Sequence, residues 1–150
     1  MATAKWTFSL ILLALLAGVR LALASADGDV LMKSGLAGNW ALDCAKPAAR
    51  DNMYSKFEIA GDGRVVVTYT YDAEVPKRTS TVTNLSIVSP GHVGYTITGV
   101  DGKPLNLVVL IEGDRRRTWS SIKSSGEVLI KDGLAKPDGS QTKWFHRCPN

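Results

Sequence analysis

The sequence predicts an all-β protein, an antiparallel meander of eight to nine strands that closes into a small barrel. Apolar and polar residues alternate through most of the chain after residue 30, as they do in half-buried strands. Turn-forming pairs such as Asp101-Gly102 interrupt this alternation at short intervals. Tight connections favour pairing between neighbouring strands, and closure removes exposed sheet edges. A β-sandwich is the alternative, although it usually needs some longer crossover connections.

The first 26 residues have the pattern of a secretory signal peptide. Lys5 precedes an uncharged apolar run over 6–19, and the segment ends in the small residues Ala24-Ser25-Ala26, which together define such a signal. Arg20 interrupts the apolar run, whereas a membrane-spanning helix needs about 20 consecutive apolar residues. We therefore expect cleavage near Ala26, a periplasmic or secreted protein, and no stable transmembrane anchor.

The remaining chain has the length and composition of one globular domain. The full sequence has 150 residues, 45% of them hydrophobic, and a net charge of +4. Removing the signal takes away Lys5 and Arg20, which leaves 16 basic and 14 acidic residues and a net charge of +2. So small an excess gives no reason to expect a nucleic-acid partner. We expect a flexible N-terminal segment over 27–36 and a single barrel domain over 37–150.

The predicted strands follow one another between turn signals, and each carries β-branched or aromatic residues at alternate positions. They are expected near 38–44, 53–60, 64–72, 78–88, 92–99, 104–112, 115–123, 127–132 and 141–148. The strand at 104–112 is apolar on both faces, which predicts either cover on both sides or a contact surface. The segment 44–52 is the one longer connection, a loop or a single helical turn beginning at Pro47.

The two cysteines, Cys44 and Cys148, bracket almost the whole domain. In an oxidising compartment an even pair predicts a disulfide. A metal site with His92 or His146 is the rival interpretation, but the sequence lacks C-x-x-C and H-x-x-H spacing. We therefore expect no metal and no cofactor. The disulfide is expected to bring the ends of the first and last strands within about 7 Å of each other.

Gly38-Asn39-Trp40 opens the first strand, and this G-x-W before an antiparallel meander resembles the calycin superfamily of lipocalins, fatty-acid-binding proteins and avidins. The chain also looks like the shorter exported barrels that include small protease inhibitors. The resemblance implies that Trp40 closes one end of the barrel beneath a basic side chain from a late strand. Arg147 or Arg117 would supply that side chain, and a guanidinium over an indole adds about 0.5–2 kcal/mol.

Aromatic and basic residues on the predicted strands are the candidate ligand contacts, because Tyr and Trp combine an apolar ring with a polar group. The candidates are Trp40, Tyr69, Tyr71, Tyr95, Trp119 and Arg117. Within Arg115-Arg116-Arg117, alternation directs Arg115 and Arg117 to one face and Arg116 to the other. This run is either a solvated rim or an anion contact at the barrel mouth. An eight-stranded barrel is either filled by side chains or holds one small ligand.

We expect a non-catalytic exported binding protein that holds a small apolar or amphipathic ligand in the barrel. The alternative is a protein-interaction module with a solid core, such as an inhibitor of an exported hydrolase or an envelope factor. The partner is accordingly a small lipophilic ligand or an envelope or secreted protein. An enzyme is not expected, because no nucleophile motif such as G-x-S-x-G is present.

Overall fold

The computed structural model describes residues 26–149; the predicted signal peptide lies almost entirely outside the described residues. The described chain forms one helix, α1 (Ala26–Ser34), followed by eleven strands. These are β1 (Gly38–Ala41), β2 (Tyr54–Ile59), β3 (Val65–Thr70), β4 (Arg78–Thr81), β5 (Thr83–Ser89), β6 (His92–Thr98), β7 (Pro104–Glu112), β8 (Arg115–Lys123), β9 (Val128–Lys131), β10 (Leu134–Ala135) and β11 (Phe145–Cys148).

The strands form one antiparallel sheet in the order β4-β3-β2-β1-β11-β8-β7-β6-β5. Strand β9 pairs with β8 and β10 beside this path. Two meanders, β1–β4 and β5–β8, are thus joined by the last strand, which lies between β1 and β8. Trp40 is directly opposite Arg147 where β1 pairs with β11. The predicted all-β meander barrel is confirmed as a nearly closed antiparallel sheet, with the first and last strands as neighbours.

At the two ends of the sheet, away from β1 and β11, closure of the barrel depends on a bend at Val82. The expected strand 78–88 divides there, so that β4 pairs with β3 and β5 pairs with β6. The amide of Val82 donates to the carbonyl of Val65 at 2.9 Å. No backbone ladder joins β4 to β6 among the described strands, and the Arg78 guanidinium spans this split by donating to the Thr98 carbonyl at 2.8 Å.

Helix α1 occupies most of the segment for which the sequence predicts flexibility. Asp27 and Asp29 lie in its first turn and Lys33 in its last, an arrangement that complements the helix dipole. Leu31 is fully buried in the barrel core, and the Asp27 carboxylate accepts a hydrogen bond from the amide of Leu85 on β5 at 3.0 Å. Where the sequence predicts a flexible segment the structure has a helix, which packing against the barrel stabilises although it is too short to show periodicity.

The predicted disulfide between Cys44 and Cys148 is present, with Cα atoms 5.3 Å apart across a sequence separation of 104. It fixes the chain just after β1 to the end of β11. A disulfide of this kind is typical of an exported protein. Over residues 26–149, no helix combines the length and apolar character needed to span a bilayer.

Inward-facing side chains from six of the eleven strands, together with Val82 and two residues of the N-terminal segment, form one core. Its buried members are Leu31, Leu36, Trp40, Phe57, Val65, Val67, Val82, Leu85, Val93, Tyr95, Ile97 and Val109. Strand β7, apolar on both faces, directs Val109 into this core and leaves Val108 and Leu110 on the outside, half-buried.

Candidate ligand site inside the barrel

Trp40 closes one end of the barrel. Its ring is fully buried, and its Nε1 donates to the carbonyl of Leu36 at 2.9 Å. The guanidinium carbon of Arg147 lies 4.3 Å from the ring centroid, while its two terminal nitrogens donate to the carbonyls of Ala37 and Gly35. Of the two arginines that the sequence offers as the basic partner of Trp40, the structure places Arg147 there.

The glycine of the G-x-W motif has a steric function at this end. Gly38 has φ of +112°, a conformation that side chains other than glycine rarely adopt. A Cβ at this position would also come within 3.2 Å of Nη1 of Arg147. Gly38 therefore lets the guanidinium approach the backbone closely enough to bond the Ala37 carbonyl.

Arg116 is the most unusual side chain of the interior. It leaves β8 toward the core, is 5% exposed, and donates through Nη2 to the hydroxyl of Ser55 on β2. Its guanidinium carbon lies 5.4 Å from the Trp40 ring, 5.2 Å from Phe57 and 5.0 Å from Phe145. Three aromatic faces and one hydroxyl thus surround a cation inside the barrel.

The charge of Arg116 lacks an acidic partner within the described part of the chain. No ion pair involves this residue, and its Nε is buried without a hydrogen-bond acceptor. Burial lowers the pKa of the guanidinium, although arginine remains protonated in proteins. Burying a charge without a counter-ion costs on the order of several kcal/mol, and the three aromatic faces offset part of this cost.

Two tyrosines complete the polar interior. Tyr95 is buried and Tyr69 is half-buried, and burial raises the pKa of both phenols. Each is close enough to Arg116 for the cation to oppose that shift. Tyr71 follows β3 and lies near enough to Tyr69 to affect its electrostatics. The structure therefore groups Trp40, Tyr69 and Tyr95 with Arg116, and leaves Tyr71 at the margin.

The other two predicted ligand contacts, Arg117 and Trp119, do not belong to this site. Arg117 alternates with Arg116 and so lies on the outer face of β8, 4.8 Å from the ring of Trp144 and 5.3 Å from that of Trp119. Trp119 makes an edge contact with His92 at a centroid distance of 5.2 Å. The expectation that these two residues contact a ligand in the barrel interior is therefore not supported, because the pleat turns both outward.

Trp144 is also outside, in contrast to the buried Trp40. Its neighbour Phe145 is opposite Arg116 where β11 pairs with β8 and packs against the core. Because successive strand residues point to opposite faces, Trp144 turns outward, where Arg115 lies 4.3 Å from its ring.

Sequence reasoning missed Arg116 as a site residue. Alternation correctly separated it from Arg115 and Arg117, but the apolar character of its neighbours across the sheet was not available from its own strand. Ser55 was missed for the same reason, since a lone serine in a strand carries no signal of what it faces.

No family model, no curated protein and no solved structure matches this chain.

Proposed function

We propose that this protein is an exported, non-catalytic carrier whose barrel holds a small amphipathic molecule with an anionic head group. The observation that supports this proposal is the buried guanidinium of Arg116, which has no acidic partner among the described residues. A carboxylate or phosphate next to Arg116 would supply the missing counter-charge. Bidentate pairing with a planar guanidinium makes arginine especially suited to such groups.

The residues around Arg116 suit the two ends of an amphipathic molecule. The hydroxyls of Ser55, Tyr69 and Tyr95 can donate hydrogen bonds to the oxygens of a head group. The rings of Phe57 and Tyr95, whose centroids are 5.7 Å apart, pack in the buried core and would separate to form an apolar wall for the rest of the ligand. A few polar groups within an apolar lining are typical of small-molecule sites.

The split between β4 and β6 is the proposed way in. Arg78 spans it with a side-chain hydrogen bond, which opens at lower cost than a strand ladder. Directly across the β3–β4 pair, Arg78 is opposite Tyr69, so an anion arriving at the split meets one cation at the surface and a second, Arg116, in the core.

The test uses cis-parinaric acid, a fluorescent fatty acid, and its uncharged methyl ester. We expect the acid to bind the purified protein and to lose about tenfold or more in affinity in Arg116→Met, because a charge-assisted pair with a buried group contributes about 1.5–3 kcal/mol. The ester should bind weakly to both proteins. Arg64→Met removes a charge at an exposed turn where Arg64 pairs with Asp62, and should leave the affinity for the acid unchanged.

Two results would contradict the proposal. One is failure of the acid to bind the wild-type protein in fluorescence and in native mass spectrometry. The other is equal affinity of wild type and Arg116→Met for the acid, which would make Arg116 irrelevant to the ligand.

A further inference from the structure

The outer surface of the barrel has two different halves. Strands β2 to β4 present mainly polar side chains outward, among them Lys56, Glu58, Thr68, Thr70 and Thr79. Strands β5 to β9 instead carry an outward patch that we call the aromatic face, which consists of Val88, Val108, Leu110, Trp119, Ile122 and Val128. Polar residues such as Thr96, Asn106 and Ser120 also face outward on β6–β8, so this side is mixed, whereas the outward side of β2–β4 is mainly polar.

Exposure on the aromatic face is substantial. Val88 is 56% exposed, Val128 37% and Ile122 36%. A Cβ added to Gly94 on β6 would come within 3.1 Å of the Val88 side chain. Because Gly94 has no side chain, Val88 can pack across the sheet at this position. Exposed apolar groups gathered on one side of a protein indicate a contact surface.

A row of stacked cations and indoles borders this face. Arg117 contacts Trp119 and Trp144, and Arg115 contacts Trp144. Arg117 lies over Gly133, where a Cβ would come within 3.2 Å of its Cζ. Arg115 also pairs with Glu112 at 2.7 Å, whereas Arg117 has no carboxylate partner within residues 26–149. The border of the aromatic face therefore carries an unneutralised positive charge.

We propose that the aromatic face docks on an anionic lipid surface. Tryptophan concentrates at the depth of lipid head groups, where its ring is apolar and its N–H is hydrated. Arginine beside it pairs with phosphates through its planar fork. The half-exposed aliphatic residues between them would lie at the boundary of the acyl chains. This proposal does not depend on a ligand inside the barrel.

The chemistry of the aromatic face favours a lipid bilayer over a second copy of this chain or another protein. A second copy docked about a two-fold axis near Arg117 would set this unneutralised guanidinium against its own equivalent, and like charges in an interface are costly. A protein partner is usually recognised by anchors that fill pockets. Cavities of about 250, 270 and 290 Å³ lie at Asn39 and Tyr54, at Lys131 and Leu134, and at Pro47, and none of the three has a residue of the aromatic face in its lining. The aromatic face, with Trp144, Arg115 and Arg117 along its border, fits a deformable anionic surface.

The test measures flotation of the purified protein with vesicles of phosphatidylcholine and phosphatidylglycerol, and with vesicles of phosphatidylcholine alone. We expect binding to the anionic vesicles and a blue shift of tryptophan emission from Trp119 and Trp144. Arg117→Gln should weaken this binding about fivefold, since one basic residue near an anionic membrane contributes about 1 kcal/mol.

A second pair of variants separates docking from folding. Val88→Glu places a negative charge on an exposed position of the aromatic face and should abolish vesicle binding without unfolding the protein. Thr79→Glu makes the same change of charge on the polar half, where Thr79 is exposed, and should bind like wild type. Circular dichroism checks that both variants fold.

Three outcomes would overturn the proposal. The first is no flotation with either kind of vesicle. The second is equal flotation with both kinds, which would show that the charge of the lipid does not contribute to binding. The third is a dimer in sedimentation that Val88→Glu dissociates, because the aromatic face would then belong to a second copy.

Discussion

Arg147, on the last strand of the barrel, stacks on Trp40 of the first strand and also binds the segment that precedes that strand. Its guanidinium carbon lies 4.3 Å from the centroid of the Trp40 ring, and its terminal nitrogens hold the carbonyls of Ala37 and Gly35. One side chain thus fixes the indole, the turn after α1 and strand β11. The barrel end is closed by this contact as well as by backbone pairing.

Arg147→Ala should lower the free energy of unfolding by about 2–4 kcal/mol. The substitution removes a cation–π contact that contributes about 0.5–2 kcal/mol. It also deprives the carbonyls of Ala37 and Gly35 of charge-assisted hydrogen bonds that contribute about 1.5–3 kcal/mol. Urea denaturation measures the loss. Arg64→Ala, at an exposed turn, is the control and should change stability by less than about 0.5 kcal/mol. Equal effects of the two substitutions would show that the Arg147–Trp40 contact is not stabilising.

Gly38→Ala should destabilise the protein by about 1–3 kcal/mol, because a side chain at φ of +112° is strained and the new Cβ crowds Arg147. Gly61→Ala is the matched control, since nothing lies within 4 Å of a Cβ at Gly61 and its φ is not in the left-handed region. Thermal melts of both variants provide the comparison. A melting temperature for Gly38→Ala as high as that of Gly61→Ala would rule out the steric role of Gly38.

Cys44→Ser should lower the free energy of unfolding by about 2–5 kcal/mol while the β signature in circular dichroism remains. The disulfide closes a loop between residues 104 apart in the sequence, so its loss frees much of the unfolded chain. Reductant should have the same effect on wild type and no effect on the double variant Cys44→Ser, Cys148→Ser. Two free thiols in Ellman's assay of the oxidised protein would contradict the pairing.

Arg116→Met should leave the free energy of unfolding unchanged or raise it by up to about 2 kcal/mol. It replaces a buried charge that has no counter-ion with an apolar side chain of similar length, a change that is often neutral or stabilising. Guanidinium denaturation without ligand measures the effect. A loss greater than about 2 kcal/mol would mean that the stacking on Trp40, Phe57 and Phe145 holds the core together, and that Arg116 is kept for structure.

Local pattern was sufficient to predict much of the fold. Alternation and turn residues located the strands to within a few residues, and short connections implied a meander, because both depend on neighbours in the chain. The disulfide followed from the cysteine count and the predicted export. Alternation also separated Arg116 from Arg115 and Arg117, since the pleat alone sets opposite faces.

By itself, then, the sequence determined where strands form, how they connect and which residues share a face. Only the tertiary structure decided which face is inside. Register between β8 and β11 placed Arg116 beside Phe145 in the core and turned Trp144 and Arg117 outward. Packing on the barrel likewise formed α1 around Leu31, where no helical period is visible. Such choices depend on contacts between residues far apart in the chain, and local periodicity contains no information about them.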